Sequence, residues 1–570
     1  MKVALEVKVS DDRVTVSGSG LSLLRVKAAI AAFTSDGQVL SAGRTAFTAP
    51  LSAYLEAKPL FEREIIEDPS SIRQIENGAA IAGLHRIARE RVREISENGE
   101  ALTGLEHWDE ILDPHQGIAA NAMSVSGLSG MCLFDEQGTG KTVSLLAAYD
   151  ILKKRGEIDT AIVLAPKTLQ SNWKSEAQIF LGDAPLSIVL IEGDKEDRYL
   201  KLQTKADLFI STYETLDSEL THFISITKTR KVLLVADESF FVKNPDAQRS
   251  RAARDFRRHC VRAIVLCGSP APNSPSDLIH QFDLADNGYT FRGTEPPDDP
   301  SKKKEFIETQ IEARGVYLRR TKDRVLPNLP EKRFHVMLVD MEPKQALLYS
   351  EAKKDLALFL KTLDNRTFRR NLTTYFQKRA AMLQICVSPN LIDRMVKEVP
   401  AKYLALDKLL KDEIENKRNK IVVWSVYTKT IDDLVERYSS YNPVRVDGKV
   451  PQASVRQEMV DRFQNDPGTM LFIGNPAAAG AGVTLHSSHV VVYLSFSNQA
   501  AHYMQSLDRV HRRGQTSSNI DYHFLVCAGT IEQKELERLV SKQKTQSNLL
   551  GDAASENFTL EDALREIGAP

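Results

Sequence analysis

Cysteine is scarce in this chain: five residues in 570, and no two stand as a C-x-x-C pair. Cys132, Cys260, Cys267, Cys386 and Cys527 are scattered, which excludes a disulfide framework and argues against structural zinc. The expectation is a reduced, intracellular compartment: cytoplasm or nucleoid in a prokaryote or virus, nucleus in a eukaryote. Net charge is nearly absent as well, at −1, so no global basic field announces nucleic acid. No apolar run reaches membrane-spanning length and no charged-then-apolar leader is seen, so no membrane partner is expected. Internal repeats and low-complexity segments are missing too.

What is present is a globular composition, 42% hydrophobic and 26% charged, in a chain too long for one core. About three domains are expected. The organising stretch is Met131 to Thr142: a short apolar run, then Asp135-Glu136-Gln137-Gly138-Thr139-Gly140-Lys141-Thr142, then a helical pattern from Val143 to Leu152. Strand, Gly-rich loop, Lys-Thr and helix make the context of a phosphate-binding loop. Gly138 and Gly140 let the backbone around Thr139 curl so that its N–H groups face phosphate oxygens, and the helix adds its positive end. Lys141 would reach the β- and γ-phosphates of ATP, and the Thr142 hydroxyl would hold Mg2+. The strict pattern has Gly where Asp135 stands, so a plain Gly turn is the rival reading.

In chain order, residues 1–105 read as a separate accessory module. Val3, Leu5, Val7 and Val9 alternate with polar residues, as do Val14 and Val16, which predicts two strands with a turn at Asp11-Asp12. Ser71 to Ile95 has helical spacing through Ile72, Ile75, Ile81, Leu84, Ile87 and Val92. Ahead of the loop stands Gln116, whose amide both donates and accepts and so can read an adenine edge. After it, apolar runs at 159–167, 207–216, 231–238 and 263–270 each end in a polar cluster. Apolar strands alternating with helical spacers predict a parallel α/β sheet, with its ligand site at the C-terminal strand ends. The sharpest cluster is Asp237-Glu238: Asp237 is placed to hold Mg2+, and Glu238 to orient and activate a water. An acidic loop without chemistry is the alternative.

The ordered series Leu112-Asp113-Pro114-His115-Gln116, 135–142, Leu164-Ala165-Pro166-Lys167, Ser211-Thr212-Tyr213-Glu214, Asp237-Glu238-Ser239-Phe240 and Gly268-Ser269-Pro270 resembles the Swi/Snf-type ATPases of helicase superfamily two. The later segments Leu318–Lys322, Val446-Asp447-Gly448, Ala479–Leu485 and Gln505–Gln515 extend the resemblance over roughly residues 110–535. The compact build and the 243–253 stretch resemble the HARP-type annealing helicases most. The resemblance implies two RecA-like parallel-sheet lobes with helical protrusions beside a small N-terminal α+β module. The expected boundaries are 1–105, 106–330 (first lobe), 331–400 (helical protrusion and linker), 401–545 (second lobe) and 546–570 (tail). It implies ATP between the lobes, DNA backbone contacts at Lys167, Ser211 and Thr212, and coupling roles for Ser269 and Gln505. Phe240 stands where the family has a His, so coupling to DNA is expected to be wired differently.

For the second lobe, Arg509 and Arg512 lie three apart on an apparent helix and share a face, so both can point at a γ-phosphate when the lobes close. A solvated helix is the plain alternative. Gly482 sits in a Gly-rich turn that can approach nucleotide or DNA, and Thr484 can bond a DNA phosphate. Arginines crowd 249–262, 314–324 and 366–379 and suggest a phosphate track on duplex or forked DNA. The function expected is a DNA-dependent ATPase that translocates on DNA. The rivals are a strand-separating helicase, an ATPase subunit of a multi-protein restriction or defence complex, and a non-hydrolysing DNA-binding module.

Overall fold

A computed structural model of the chain describes residues 5–546 apart from 11, 35–37, 103–105, 182–185, 243, 269, 271–274, 327–328, 451, 479–482, 497–499 and 513. These residues form two compact units, one ending at Val325 and the other beginning at Leu326. The expected tail, 546–570, lies outside the described residues except for Gln546.

The first unit opens with β1 (Leu5–Ser10), β2 (Arg13–Ser17), β3 (Leu40–Ser41), β4 (Ala46–Pro50) and β5 (Ile65–Glu67). They make a five-stranded sheet in the order β3-β4-β2-β1-β5. Strand β1 alternates buried and exposed residues because one face alone is covered, and Leu5, Val7 and Val9 go inward with Val14 and Val16. The helix predicted from Ser71 runs over Pro69–Asn98, started by the Asp68 side chain on the Ser70 N–H and ended by Gly99 in the left-handed region. Its buried stripe is Ile75, His85, Ala88, Val92 and Ile95. Ile81, Leu84 and Ile87, which carried much of the apolar period, are instead half exposed or more.

This module is tied to residues 286–314 of the same unit. Arg292 pairs with Asp12 at 2.9 Å, and Arg13 Nη1 donates to the Gly293 carbonyl at 2.9 Å. Gln38 bonds the Glu295 carbonyl and N–H, and Ser52 donates to the Arg292 carbonyl. Gly293 has φ +70°, and a Cβ there would meet the Asp12 carbonyl oxygen at 2.6 Å, so the close approach requires glycine. Arg314, 1% exposed, donates to the Phe33 carbonyl and to Gln310 and pairs with Glu56 at 3.4 Å. His85 donates to the Arg314 carbonyl at 2.7 Å and lies 4.1 Å from the Tyr289 ring.

The second sheet of this unit comprises β6 (Gly130–Leu133), β7 (Thr160–Leu164), β8 (Ile188–Leu190), β9 (Leu208–Ser211), β10 (Val232–Ala236), β11 (Arg262–Leu266) and β12 (Tyr317–Leu318). All pairings are parallel, in the order β12-β6-β11-β10-β7-β9-β8. Helices cover both faces, so β6, β7, β9, β10 and β11 are buried along their whole length.

The other unit has β13 (Glu331–Val339), β14 (Ile421–Trp424), β15 (Val444–Val446), β16 (Leu471–Gly474), β17 (Val490–Tyr493) and β18 (Asn519–Cys527), parallel in the order β13-β18-β17-β14-β16-β15. Residues 331–339, expected in a linker and helical protrusion, thus form a nine-residue edge strand. Its partner β18 supplies the reason: Phe334 stacks on Tyr522 at 5.3 Å, a cross-strand pairing no local pattern displays. Helices Pro343–Lys361, Asn365–Arg370 and Leu372–Val387 follow. Lys402 is fully buried and its ammonium bonds the Leu494 carbonyl and Glu532, both at 2.7 Å.

Burial pushes the His85 imidazole down to about 4 from its ordinary 6.5. A depressed folded-state pKa gives stability that is complete above the unfolded value and is lost as pH falls through the window from 6.5 to about 4. Docking of the N-terminal module should therefore weaken in that window, seen as a falling melting temperature and faster proteolysis of the first hundred residues. His85→Gln, which keeps a donor for Arg314 without titrating, should flatten that loss.

Candidate nucleotide site

The parallel order sets the site. The loop after β6 and the Asp237-Glu238 pair after β10 emerge on one edge, separated by β11 alone, hence by about 10 Å of sheet. The turn after β11, at Gly268, falls between them. Gly138 and Gly140 have φ of +86° and +87°, and Gly140 ends the loop at the start of helix Lys141–Lys154. A Cβ on Gly140 would meet Gln116 Nε2 at 2.1 Å.

The first position of the loop explains its departure from the strict pattern. Asp135, 2% exposed, receives the Arg320 guanidinium on both oxygens, with Nε at 3.1 and 3.2 Å and a closer contact from Nη2. Arg320 Nη1 also donates to the His115 carbonyl. The Glu136 N–H donates to the Arg320 carbonyl, and Glu136 accepts from the Lys322 N–H. Strand β12 continues this seam, since the Phe134 N–H donates to the Leu318 carbonyl. A carboxylate thus replaces glycine where the chain needs an anchor. In the sequence Asp135 stands out as a departure from the loop pattern and Arg320 as one of the arginines of 314–324; no spacing rule pairs the two.

Lys141 donates its ammonium to the Asp135 and Glu136 carbonyls at 2.9 and 3.3 Å, inside the curl of the loop where phosphate oxygens would be received. His115 and Gln116 both donate to the Thr139 carbonyl, at 2.8 and 3.0 Å, while the Thr139 hydroxyl donates to Glu136. Gln116 Oε1 accepts from the Asp113 N–H and closes a capping box, so this amide braces the loop through both ends. Thr142 sits part-buried in the first turn of the following helix.

Asp237 accepts from the Trp173 indole at 2.8 Å and from the Glu238 N–H at 2.9 Å, and Tyr213 donates to its carbonyl. Burial pushes its carboxyl above the usual carboxylate range, against the pull of Trp173 and the Lys141 ammonium. A carboxylate and a threonine hydroxyl are hard oxygen donors, the kind that suits Mg2+. Trp173, on helix Gln170–Phe180, has no role in the sequence reading, since no spacing rule ties an indole on a helix to an acid at a strand end. Glu238 has φ +48°, a strained backbone for a residue with a side chain. Phe240 lies 4.6 Å from Phe241, whose ring stacks on Tyr213 and carries Arg249 at 5.6 Å.

The expected DNA and coupling residues divide. Lys167 is exposed just beyond β7, whereas Ser211 is fully buried and the Thr212 hydroxyl is spent on the Thr215 N–H as a helix cap. Ser269 and Gly482 lie outside the described residues. Gln505 is buried on helix Ala500–Leu507. That helix stops before Arg509 and Arg512, which the sequence reading had placed on it. The Tyr522 hydroxyl takes the Leu507 carbonyl, and the Leu485 N–H takes that of Arg509, so tertiary bonds replace the next helical turn. Arg509 is fully buried; Arg512 is part-exposed and donates to the Asp508 carbonyl and to Thr484 Oγ1 at 3.1 Å.

The arginine clusters are also reassigned. Arg257 donates to the Leu284 and Ala285 carbonyls at the end of helix Asp277–Asp286 and to Ser129, Arg262 to Met123, Val125 and Glu157, and Arg379 to Glu535. With Arg314 these are interior struts that satisfy carbonyls and acids. Arg251, Arg258, Arg366, Arg369 and Arg370 remain exposed.

Comparison with known proteins agrees with this geometry. A profile of the SNF2-related domain matches residues 114–391, and one of the helicase conserved C-terminal domain matches 401–514. YwqA of Bacillus subtilis is 28% identical over 490 residues, 80% of this chain and 50% of that protein. The DNA repair protein rhp54 of Schizosaccharomyces pombe is 27% identical over 527 residues, 80% of this chain and 61% of that one. The chain spans about half the length of the curated relatives it matches.

Arg320→Ala would leave Asp135 buried without its counter-ion, and should destabilise the first unit by about 3–5 kcal/mol in urea unfolding. Combining it with Asp135→Asn should recover a large part of that loss, a coupling a double-mutant cycle would measure. On the two matching profiles, and on motifs that stand in order along both units, the chain belongs to the SNF2-related, Swi/Snf-type ATPases of helicase superfamily two.

Proposed function

We propose that the chain is a DNA-dependent ATPase that moves along double-stranded or branched DNA and remodels it or the proteins on it. One observation carries the reading: Lys141, Asp237 and Glu238 stand on one sheet edge, two strands apart, with an anchored phosphate loop between glycines in the left-handed region. Hydrolysis of ATP needs that set. Lys141 exchanges the Asp135 and Glu136 carbonyls for the β- and γ-phosphates. Glu238 orients a water in line with the γ-phosphorus and takes its proton as the bond to the bridging oxygen breaks. Mg2+ bound by Thr142 and Asp237 would neutralise charge on the β- and γ-oxygens. Trp173 fixes the Asp237 carboxylate for that task.

Arg512 is the arm of the second unit proposed to meet the γ-phosphate, a contribution worth ~10³–10⁵ in rate for an arginine finger. Arg509, being buried, is proposed to hold the turn that presents it. On the DNA side, exposed Lys167 and the part-exposed Thr484 turn are proposed as backbone contacts, indifferent to sequence and weakened by salt. The DNA repair relatives support a substrate of this class.

The test is steady-state ATP hydrolysis by the full chain without nucleic acid, then with single-stranded, duplex and forked DNA, at two salt concentrations. Duplex or forked DNA should stimulate hydrolysis, and Lys141→Ala should abolish it at every DNA. Stimulation by single strands alone would mark a strand-separating helicase. Absence of hydrolysis with any DNA, in protein that binds ATP, would refute the stand-alone motor.

A further inference from the structure

Between the phosphate loop and the Asp237-Glu238 pair stands a contact that the hydrolysis scheme does not use. Gln137 Nε2 donates to Glu238 Oε1 at 2.9 Å. The direction is fixed by chemistry, since a carboxylate only accepts. The bond joins the third residue of the loop to the residue proposed to activate water. It is held from behind: a Cβ on Gly268, at the end of β11, would come within 3.1 Å of the Gln137 Cβ and backbone nitrogen. Gly268 is therefore the space into which Gln137 fits. From the other side, Glu238 is delivered by a backbone at φ +48°, a strained conformation for a residue with a side chain. Three strand ends thus converge on one amide-carboxylate bond: β6 through Gln137, β11 through Gly268, and β10 through Glu238.

We propose that Gln137 is a positioning residue that latches Glu238 against the phosphate loop and so keeps hydrolysis slow until the loop or Gly268 moves. Latched, one lone pair of the carboxylate is engaged by the amide, and the side chain is aimed at the loop instead of at a water. Phosphate entering the loop, or a displacement of Gly268, breaks the bond and releases the carboxylate from the amide. The strained backbone at Glu238 favours its departure, because the conformation is maintained only while its surroundings hold it. The proposal rests on Glu238 as the water-activating residue.

The experiment compares Gln137→Met with Gln137→Ala in the full chain. Methionine fills the same space against Gly268 and lacks only the donor; alanine empties the space as well. A latch predicts that both variants raise the DNA-free kcat by about threefold to tenfold, the range of one hydrogen bond. The KM for ATP should stay within about twofold, and the ratio of DNA-stimulated to DNA-free rate should fall by the same factor. A packing role would change Gln137→Ala alone and leave Gln137→Met like wild type, which would overturn the proposal. So would a fall in the DNA-free rate of Gln137→Met, which would make the amide a helper of catalysis. Glu238→Gln separates the two levels: loss of hydrolysis there with no gain in Gln137→Met refutes the latch alone, whereas wild-type hydrolysis in Glu238→Gln refutes the role of Glu238 and the latch with it.

Discussion

Parallel pairing of β6, β11 and β10 is the constraint on which the proposed chemistry depends. A parallel ladder sends every strand end to the same edge, so loops far apart in sequence become neighbours at a spacing set by backbone hydrogen bonds. Lys141 and Asp237 meet because one short apolar strand separates theirs. The geometry at that edge is then tightened by buried polar pairs. Asp135 with Arg320 fastens the start of the loop, and Trp173 with Asp237 fastens the acid. Each is costly to leave half-made, because the remaining partner would sit buried and unsatisfied.

Much of this was legible before any coordinates. The apolar run from Met131 and those within 159–167, 207–216, 231–238 and 263–270 announce buried strands, since no polar alternation interrupts them. The glycines and Lys141 of the loop declare themselves because backbone curvature admits few residue types there. What stayed hidden was of a different kind. An edge strand such as β13 is defined by its neighbour, so its own residues, Glu331 to Val339, carry weak evidence of it. The end of the helix at Leu507 is dictated by a tyrosine hydroxyl from β18. Charge was the most misleading signal: Arg257, Arg262, Arg314 and Arg379 read as a DNA-facing track and turn out to be interior supports. A guanidinium has five donors in a plane and satisfies clustered carbonyls as readily as phosphates.

Phe240 shows a similar substitution of one kind of contact for another. The family's usual imidazole would offer a hydrogen bond at this point. Here two phenyl rings, Tyr213 and Arg249 make a continuous apolar and cation-π stack directly beside the Asp237-Glu238 turn. Any signal passing this way must travel by packing, which moves whole rings, and cannot pass by proton exchange.

The attachment of the first hundred residues has an evolutionary consequence. Most of the bonds it donates end on main-chain carbonyls, those of Arg292, Gly293, Glu295 and Arg314. A carbonyl is the same atom whatever side chain it carries. Much of the receiving segment can therefore drift through substitutions while the dock persists, with Gly293 and the side chains of Arg292 and Arg314 as its fixed points. An inherited arrangement of this sort leaves little trace in residue identities, and descent in this part of the chain is better sought in backbone shape than in letters.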